Sequence, residues 1–353
     1  MSLVLLKPIK KIKKRPVMLA FFCLVVLFGC SKKTGREPEN LLWVFNGGTM
    51  GTTYSVKVSV DPSVPKEEKE LAAEIEQTLL DFNQIMSTYI EGSELSSLNK
   101  APVGEWLSIS EALTKVLDIS AAVYIQSDGA FDITVGPLVN LWGFGPESIT
   151  RVPSDADIDA VQHRIGMKLI QRRKGQLKKL NDVYIDLSAV AKGYAADVVA
   201  SLLESHGIHN YMVEIGGELK IRGHNPVGNT WTIGIEKPTL GHSGALQKLT
   251  GDNIAIATSG DYRNYYEKDG VRISHTINPV SGKPISHKLV SVTVVTERGG
   301  YADAYATALN VLGPDKGLAL AKQQKLAAFF IIRDGESYRF EETQLFRKYT
   351  LDK

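Results

Sequence analysis

Asp303 and Thr307 stand four residues apart in "YADAYATAL", a spacing that puts both side chains on one face of a helix. A carboxylate, a hydroxyl and a nearby carbonyl are hard oxygen donors suited to Mg²⁺, which is usually held by one or two carboxylates together with substrate phosphates. An aspartate near a helix start is also favourable without any metal, through the helix dipole. In "YIDLSAVAKGYAAD" a strand, a short turn and a helix leave free backbone N–H groups at Ser188 to Ala191, where a phosphate is welcome. Lys192 in the first turn is unfavourable for the helix itself and calls for a compensating anion; Asp186, just before it, could bind a metal or a ligand hydroxyl. The plain alternative is a helix capped by Ser188 with nothing bound. In "VRISHTINP", Val271, Ile273, His275 and Ile277 share one face of an expected strand, so the imidazole falls on the apolar side. Asn278-Pro279 ends that strand and leaves His275 near the rim of a sheet, where it could take a proton from a hydroxyl nucleophile. A satisfied core histidine fits the same pattern.

The elements that must position these groups follow from periodicity. Leu71, Ile75, Leu79, Phe82 and Ile85 mark an amphipathic helix. Ser108 and Glu111 read as a capping box before a second helix carrying Leu113, Leu117 and Tyr124, which stops at Ser127-Asp128-Gly129. "GTMGTTYSVKVSV" turns into an alternating strand, and Val183 to Leu187 form a short strand that feeds a helix closed by Gly207. From Tyr211 onward glycine and β-branched residues predict successive strands, with Asp269-Gly270 as a hairpin turn. A late helix ends at Gly313-Pro314, and "LAAFFII" is a final buried strand. Strands and helices mix without strict βαβ alternation, which predicts an α+β fold of mixed, largely antiparallel sheets with packed helices. The charged, helix-poor stretch from Glu147 to Lys179 is a candidate boundary.

The chain has 353 residues, 43% hydrophobic and 23% charged, an ordinary globular balance. Its formal charge of +2 includes six cations near the N-terminus (Lys7, Lys10, Lys11, Lys13, Lys14 and Arg15); setting those six aside leaves −4. A slightly acidic remainder without a basic stripe argues against nucleic acid as a partner. The cations precede an uncharged run from Val17 to Gly29, too short for a membrane span but suited to a secretory h-region. "LFGC" then resembles a lipobox with Cys30 as the lipidated residue. The expected organisation is a signal peptide at 1–29, the lipidated cysteine and a polar tether at 30–40, and one domain at 41–353. Cys23 and Cys30 are the only cysteines, so the mature chain has neither a possible internal disulfide nor thiolate chemistry. There is no Walker A loop, no G-x-G-x-x-G fingerprint, no zinc-type His/Cys cluster and no G-x-S-x-G elbow.

Taken together, "GTMGTTYSV", "MSTYIEGSELSSLN", "GAFDITVGPLVNLWGFGP", "YIDLSAVAKGYAAD", "TSGDYRNYY", "SHTINPVSGKPI" and "ADAYATAL" resemble the ApbE family of bacterial FAD:protein FMN transferases. The resemblance implies an FAD cleft between two lobes and Mg²⁺-dependent cleavage of the FAD pyrophosphate. FMN passes to a threonine or serine hydroxyl of a partner protein, and AMP leaves. It further implies that Asp303, Thr307 and the Ala189 carbonyl hold the metal, and that His275 is the general base. Met50, Tyr89, Ala130, Phe131, Asp132, Asp186, Lys192 and Ile277 are then expected to contact FAD. Ala306 stands where relatives can carry an aspartate ligand, and "GGEL" departs from the more usual "GGN/D" turn. Acceptors would be exported proteins such as flavin-carrying subunits of membrane redox pumps. The site of action would be the periplasmic side of a bacterial membrane, the inner membrane before the outer. An FAD pyrophosphatase and a non-catalytic flavin-binding lipoprotein remain as alternatives.

Overall fold

Two consecutive left-handed residues, Met50 (φ 50) and Gly51 (φ 70), reverse the chain and turn the Gly/Thr-rich entry into a hairpin. Strands β1 (Leu41–Thr49) and β2 (Thr52–Val60) pair antiparallel through that turn. Asn, Asp or Gly normally take both places in such a turn, so a methionine there is unusual. The computed structural model describes residues 40–62, 66–145, 151–237, 244–260, 265–268 and 271–351. The expected signal peptide at 1–29, Cys30 and the expected tether up to residue 39 lie outside them.

The chain continues through α1 (Glu68–Met86), α2 (Glu94–Lys100), β3 (Leu107–Ser108), α3 (Glu111–Gln126), α4 (Gly136–Leu141) and α5 (Asp155–Gln162). Then come β4 (Ile170–Arg173), β5 (Gln176–Lys179), α6 (Ala191–Ser205), β6 (Tyr211–Ile215), β7 (Glu218–Arg222), β8 (Thr232–Glu236) and β9 (Ala245–Thr250). The last elements are β10 (Ile254–Gly260), β11 (Tyr265–Lys268), β12 (Val271–Ser274), β13 (Leu289–Thr296), α7 (Gly299–Gln323), β14 (Ala327–Asp334) and β15 (Ser337–Glu342). Eight strands form the main sheet in the order β1-β2-β6-β7-β10-β13-β14-β15, and every neighbouring pair is antiparallel. The α+β expectation holds.

Both faces of the inner strands are covered, which is why their sequences read as continuous apolar runs rather than alternations. Along β13, Val292 and Val294 enter the core beneath the helices and Val295 enters a second core on the opposite face, which Val290 joins across the register shift between Leu289 and Ser291. Strand β14 divides in the same way, with Ala328, Phe330 and Ile332 on one side and Ala327, Phe329 and Ile331 on the other. This is the period-two rule acting on a strand with no wet face. Helices α1, α3, α6 and α7 cover the first face; the β8–β9 hairpin and Phe346 cover the second. Each fully buried Leu, Ile, Val or Phe contributes about 1.5–3 kcal/mol, so the sheet is anchored from both sides.

Several local expectations change. The cap of α3 is Ser110, which accepts the Leu113 N–H at 3.1 Å, while Ser108 belongs to β3. On α1 the buried stripe ends at Met86, with Ile85 half-buried beside it. Helices α2, α4 and α5 are six to eight residues long, too short to display a helical period. Pro38–Lys353 forms one compact unit. Gly313 (φ 76) does break α7, but residues 314–323 resume the helix beyond it. Where α6 crosses α7, a methyl on Gly193 or on Gly299 would overlap the other's backbone carbonyl. The two helices therefore touch backbone to backbone, directly beside Asp303.

Candidate active site

A cleft of about 470 Å³ opens where three hydrophobic clusters meet. Its size suits a small-molecule site. Of the residues singled out from sequence, it brings together Ala130, Phe131, Asp132, Asp186, Ala189, Lys192, His275, Ile277, Asp303 and Thr307. Met50 and Tyr89 are not in its wall. Met50 packs against the main core, although Thr52, two residues on, crowds Gly216 together with Lys192. Tyr89 is 66% exposed and donates its hydroxyl to the Phe144 carbonyl at 3.3 Å. Phe144 is itself a cleft residue, so this bond puts the exposed Tyr89 beside the cleft; partial burial of the hydroxyl raises its phenol pKa and the Asp186 charge adds to that.

The wall at residues 130–135 is held by its own polar contacts. Asp132 accepts both the N–H (2.8 Å) and the hydroxyl (2.6 Å) of Thr134. Burial still pushes its carboxyl up against those bonds. The Asp186 N–H donates to the Ile133 carbonyl at 2.7 Å and ties this wall to the segment before α6. Asp186 also accepts the Ser188 N–H at 2.8 Å. Ser188 is not the helix cap: α6 starts at Ala191 after a turn, with Val190 at the N-cap position and no side-chain cap bond. Lys192 nonetheless sits in the first turn, as expected.

His275 is positioned differently from the expectation. Strand β12 stops at Ser274, whose hydroxyl accepts the Thr276 N–H at 3.2 Å, and His275 occupies the bend that follows. Ile273 and Ile277 are buried, while His275 is half-buried, lines the cleft and meets the Phe144 ring edge-on at 6.3 Å. The rim beyond it is tied by hydrogen bonds. Asn278 accepts the N–H groups of Val280 and Ser281, Trp142 donates to the Gly282 carbonyl at 2.8 Å, and Gln162 donates to the Pro279 carbonyl at 2.7 Å. The strand stops because a side chain replaces the ladder, and the imidazole gains the cleft by leaving the sheet.

The same cleft holds a charge cluster that is only partly legible in the sequence. Asp303 is 4% exposed and accepts the Gly193 N–H at 3.0 Å. Gly216 (φ 60) and Gly217 (φ 100) turn β6 into β7 and deliver Glu218 to the cleft. The Lys192 ammonium lies 3.3 Å from one Glu218 oxygen, while the other Glu218 oxygen is buried without a hydrogen-bond partner. Burial acts against the Lys192 ammonium, but Asp303, Glu218 and Asp186 together more than offset it and raise its pKa. Burial pushes the Asp303 carboxyl up, with Lys192 opposing. Burial, with Asp303 adding to it and Lys192 opposing, pushes Glu218 up to about 8. Two buried carboxylates thus share one ammonium, and the site is short of positive charge.

That deficit and the orphaned oxygen fit a hard divalent cation. Asp303, Thr307 and Ala189 all line the cleft. Among the described residues no group of three or more His, Cys, Asp or Glu could hold a metal ion by itself. A cation here therefore depends on few protein ligands and on substrate oxygens, the usual habit of Mg²⁺. Glu218 was missed from sequence because "GGEL" showed only as a departure from a turn pattern; an acidic residue directly after a Gly-Gly reversal was the available signal. Also missed were Thr258 and Thr293, cross-strand partners whose hydroxyls lie 2.8 Å apart in the wall of the cleft.

A pH prediction follows from Glu218. A carboxyl raised from 4.5 to about 8 contributes stability below about pH 4.5 that disappears as pH rises to about 8. Without metal or FAD, the melting temperature of Glu218→Gln should gain on that of the unmodified chain between about pH 5 and 8. A pH-independent difference over that window would contradict a raised carboxyl.

The ApbE family model matches residues 50–330. An FAD:protein FMN transferase of Vibrio cholerae is 40% identical over 334 residues, spanning 94% of this chain and 98% of that protein. Among solved structures, the flavin transferase ApbE from Vibrio cholerae superposes with a TM-score of 0.82 at 39% identity, covering 88% of this chain and 99% of the other. The apo flavinyl transferase ApbE of Pseudomonas stutzeri gives 0.81 at 39% identity, covering 88% and 96%.

Proposed function

This chain belongs to the ApbE family, and we propose that its cleft binds FAD with the pyrophosphate against Lys192 and the first turn of α6. The enzyme is an FAD:protein FMN transferase. The hydroxyl oxygen of an acceptor threonine or serine attacks the FMN-side phosphorus, the phosphoanhydride bond to AMP breaks, and AMP departs with the bridging oxygen. His275, in the cleft wall just before the Asn278 turn, takes the hydroxyl proton. The Lys192 ammonium steadies phosphate charge, whereas the N–H groups expected to be free at the α6 start are already taken: Ser188 donates to Asp186, Val190 and Ala191 donate to the Leu187 carbonyl, and Gly193 donates to Asp303. Asp303, Thr307 and the Ala189 carbonyl would hold Mg²⁺, which when bound supplies Lewis-acid charge neutralisation at the pyrophosphate. Ala130, Phe131, Asp132, Asp186 and Ile277 shape the pocket, and Tyr89 stands beside it.

The observation that carries this reading is that His275 and the Asp303–Lys192–Glu218 cluster line one and the same cleft. A binding protein needs neither a base nor a cation-deficient carboxylate pair. The test is incubation with FAD, Mg²⁺ and a threonine-containing acceptor domain, reading acceptor mass and AMP together. An FMN-sized gain matched by AMP supports transfer; AMP with FMN free in solution points to pyrophosphatase activity instead.

We also propose that the enzyme acts on the periplasmic side of a bacterial membrane, held by lipid on Cys30, with exported proteins as acceptors. The leader composition and "LFGC" support this. Cys30→Ser should release the protein from the membrane fraction; continued sedimentation with membranes would count against lipidation.

A further inference from the structure

We propose that Asp197 is a positioning residue for the cation site: it fixes the first turn of α7 and, through it, the Asp303 carboxylate. This rests on the metal reading given above. One Asp197 oxygen accepts the Gly299 N–H at 2.7 Å and the other accepts the Gly300 N–H at 3.1 Å. These are N–H groups that a helix start leaves without an internal partner, and Arg298 at the N-cap position of α7 offers no side-chain cap. A carboxylate at that end also gains from the helix dipole. Burial acts against the Asp197 charge, and the two glycine N–H groups, Lys220 and Arg298 work the other way.

The contact is reciprocal. Asp303 lies one turn after Gly299 and returns a bond to α6, accepting the Gly193 N–H. Each helix thus holds the other through a carboxylate, on either side of the Gly193–Gly299 contact, where no side chain fits. A displacement of the α7 start carries Asp303 with it, and Thr307 one turn further. Asp197 is absent from the cleft wall and reaches Asp303 through the first turn of α7. Outer residues that orient metal ligands typically change metal affinity by about 10–100-fold when removed.

The test is a Mn²⁺ titration of the full chain, with and without FAD, following the free-ion electron paramagnetic resonance signal. Asp197→Asn should weaken Mn²⁺ binding by about tenfold or more. The Mg²⁺ concentration for half-maximal transfer should rise equally, while kcat at saturating Mg²⁺ stays within about threefold. Glu204→Gln is the control: it is on the same helix, bonded to Tyr211 and Arg222 at 2.7 Å each, and remote from the α7 start. It should lower the melting temperature and leave Mn²⁺ affinity unchanged. If Asp197→Asn does not accumulate folded, Asp197→Ser replaces it in the same titration. Unaltered Mn²⁺ affinity in the Asp197 variant, or an equal loss in Glu204→Gln, overturns the inference while leaving the metal site intact. Failure of the unmodified chain to bind Mn²⁺ in either condition removes the metal reading itself, and this inference with it.

Discussion

Asp303→Ala should abolish divalent-dependent FMN transfer while leaving a folded protein. The carboxylate is the one acidic member of the expected ligand set, and metal stabilisation of the transferring phosphoryl group is worth several kcal/mol. At about 1.4 kcal/mol per tenfold, the expected loss is on the order of a thousandfold or more. The structural cost is smaller. Removing the carboxylate frees the Gly193 N–H, a loss of about 1–3 kcal/mol, but it also relieves the repulsion that helps push Glu218 up. Melting temperature, Mn²⁺ binding and AMP release at several Mg²⁺ concentrations check this together. Transfer within tenfold of the unmodified enzyme at saturating Mg²⁺ would exclude Asp303 as a metal ligand.

His275→Ala should lower kcat by about 10²–10⁴, the range for a lost general base, with FAD affinity changed by less than about threefold. The side chain lies in a bend rather than in the sheet and is only half-buried, so its removal leaves the strand ladder unbroken. Fluorescence titration with FAD separates binding from turnover. A variant that unfolds, yet keeps normal activity per folded molecule, would instead restore the histidine to a packing role.

Much of this molecule is legible in its residue order because local physics dictates it. The α1 stripe, the apolar runs of β13 and β14, the Gly313 break and the Lys192 anomaly in the first turn of α6 each follow from spacing and residue type alone. The motif set also identified the family without coordinates. Short helices escaped notice because seven residues do not complete two helical turns, and the Ser108 and Ser188 caps were misplaced because several hydroxyl residues compete near each start.

Only tertiary structure decided the electrostatics. Glu218 looks like an ordinary strand residue until the Gly216-Gly217 reversal turns it towards Lys192, a helix away in sequence, and burial strips its second oxygen of partners. Asp197 sits on α6 like any solvent-facing acid until α7 arrives with two unpaired N–H groups. His275 keeps its apolar neighbours yet escapes their core, because Ser274 ends the ladder and the rim bends away. Charge, desolvation and hydrogen-bond partners depend on what lies across space, and sequence spacing carries no record of that.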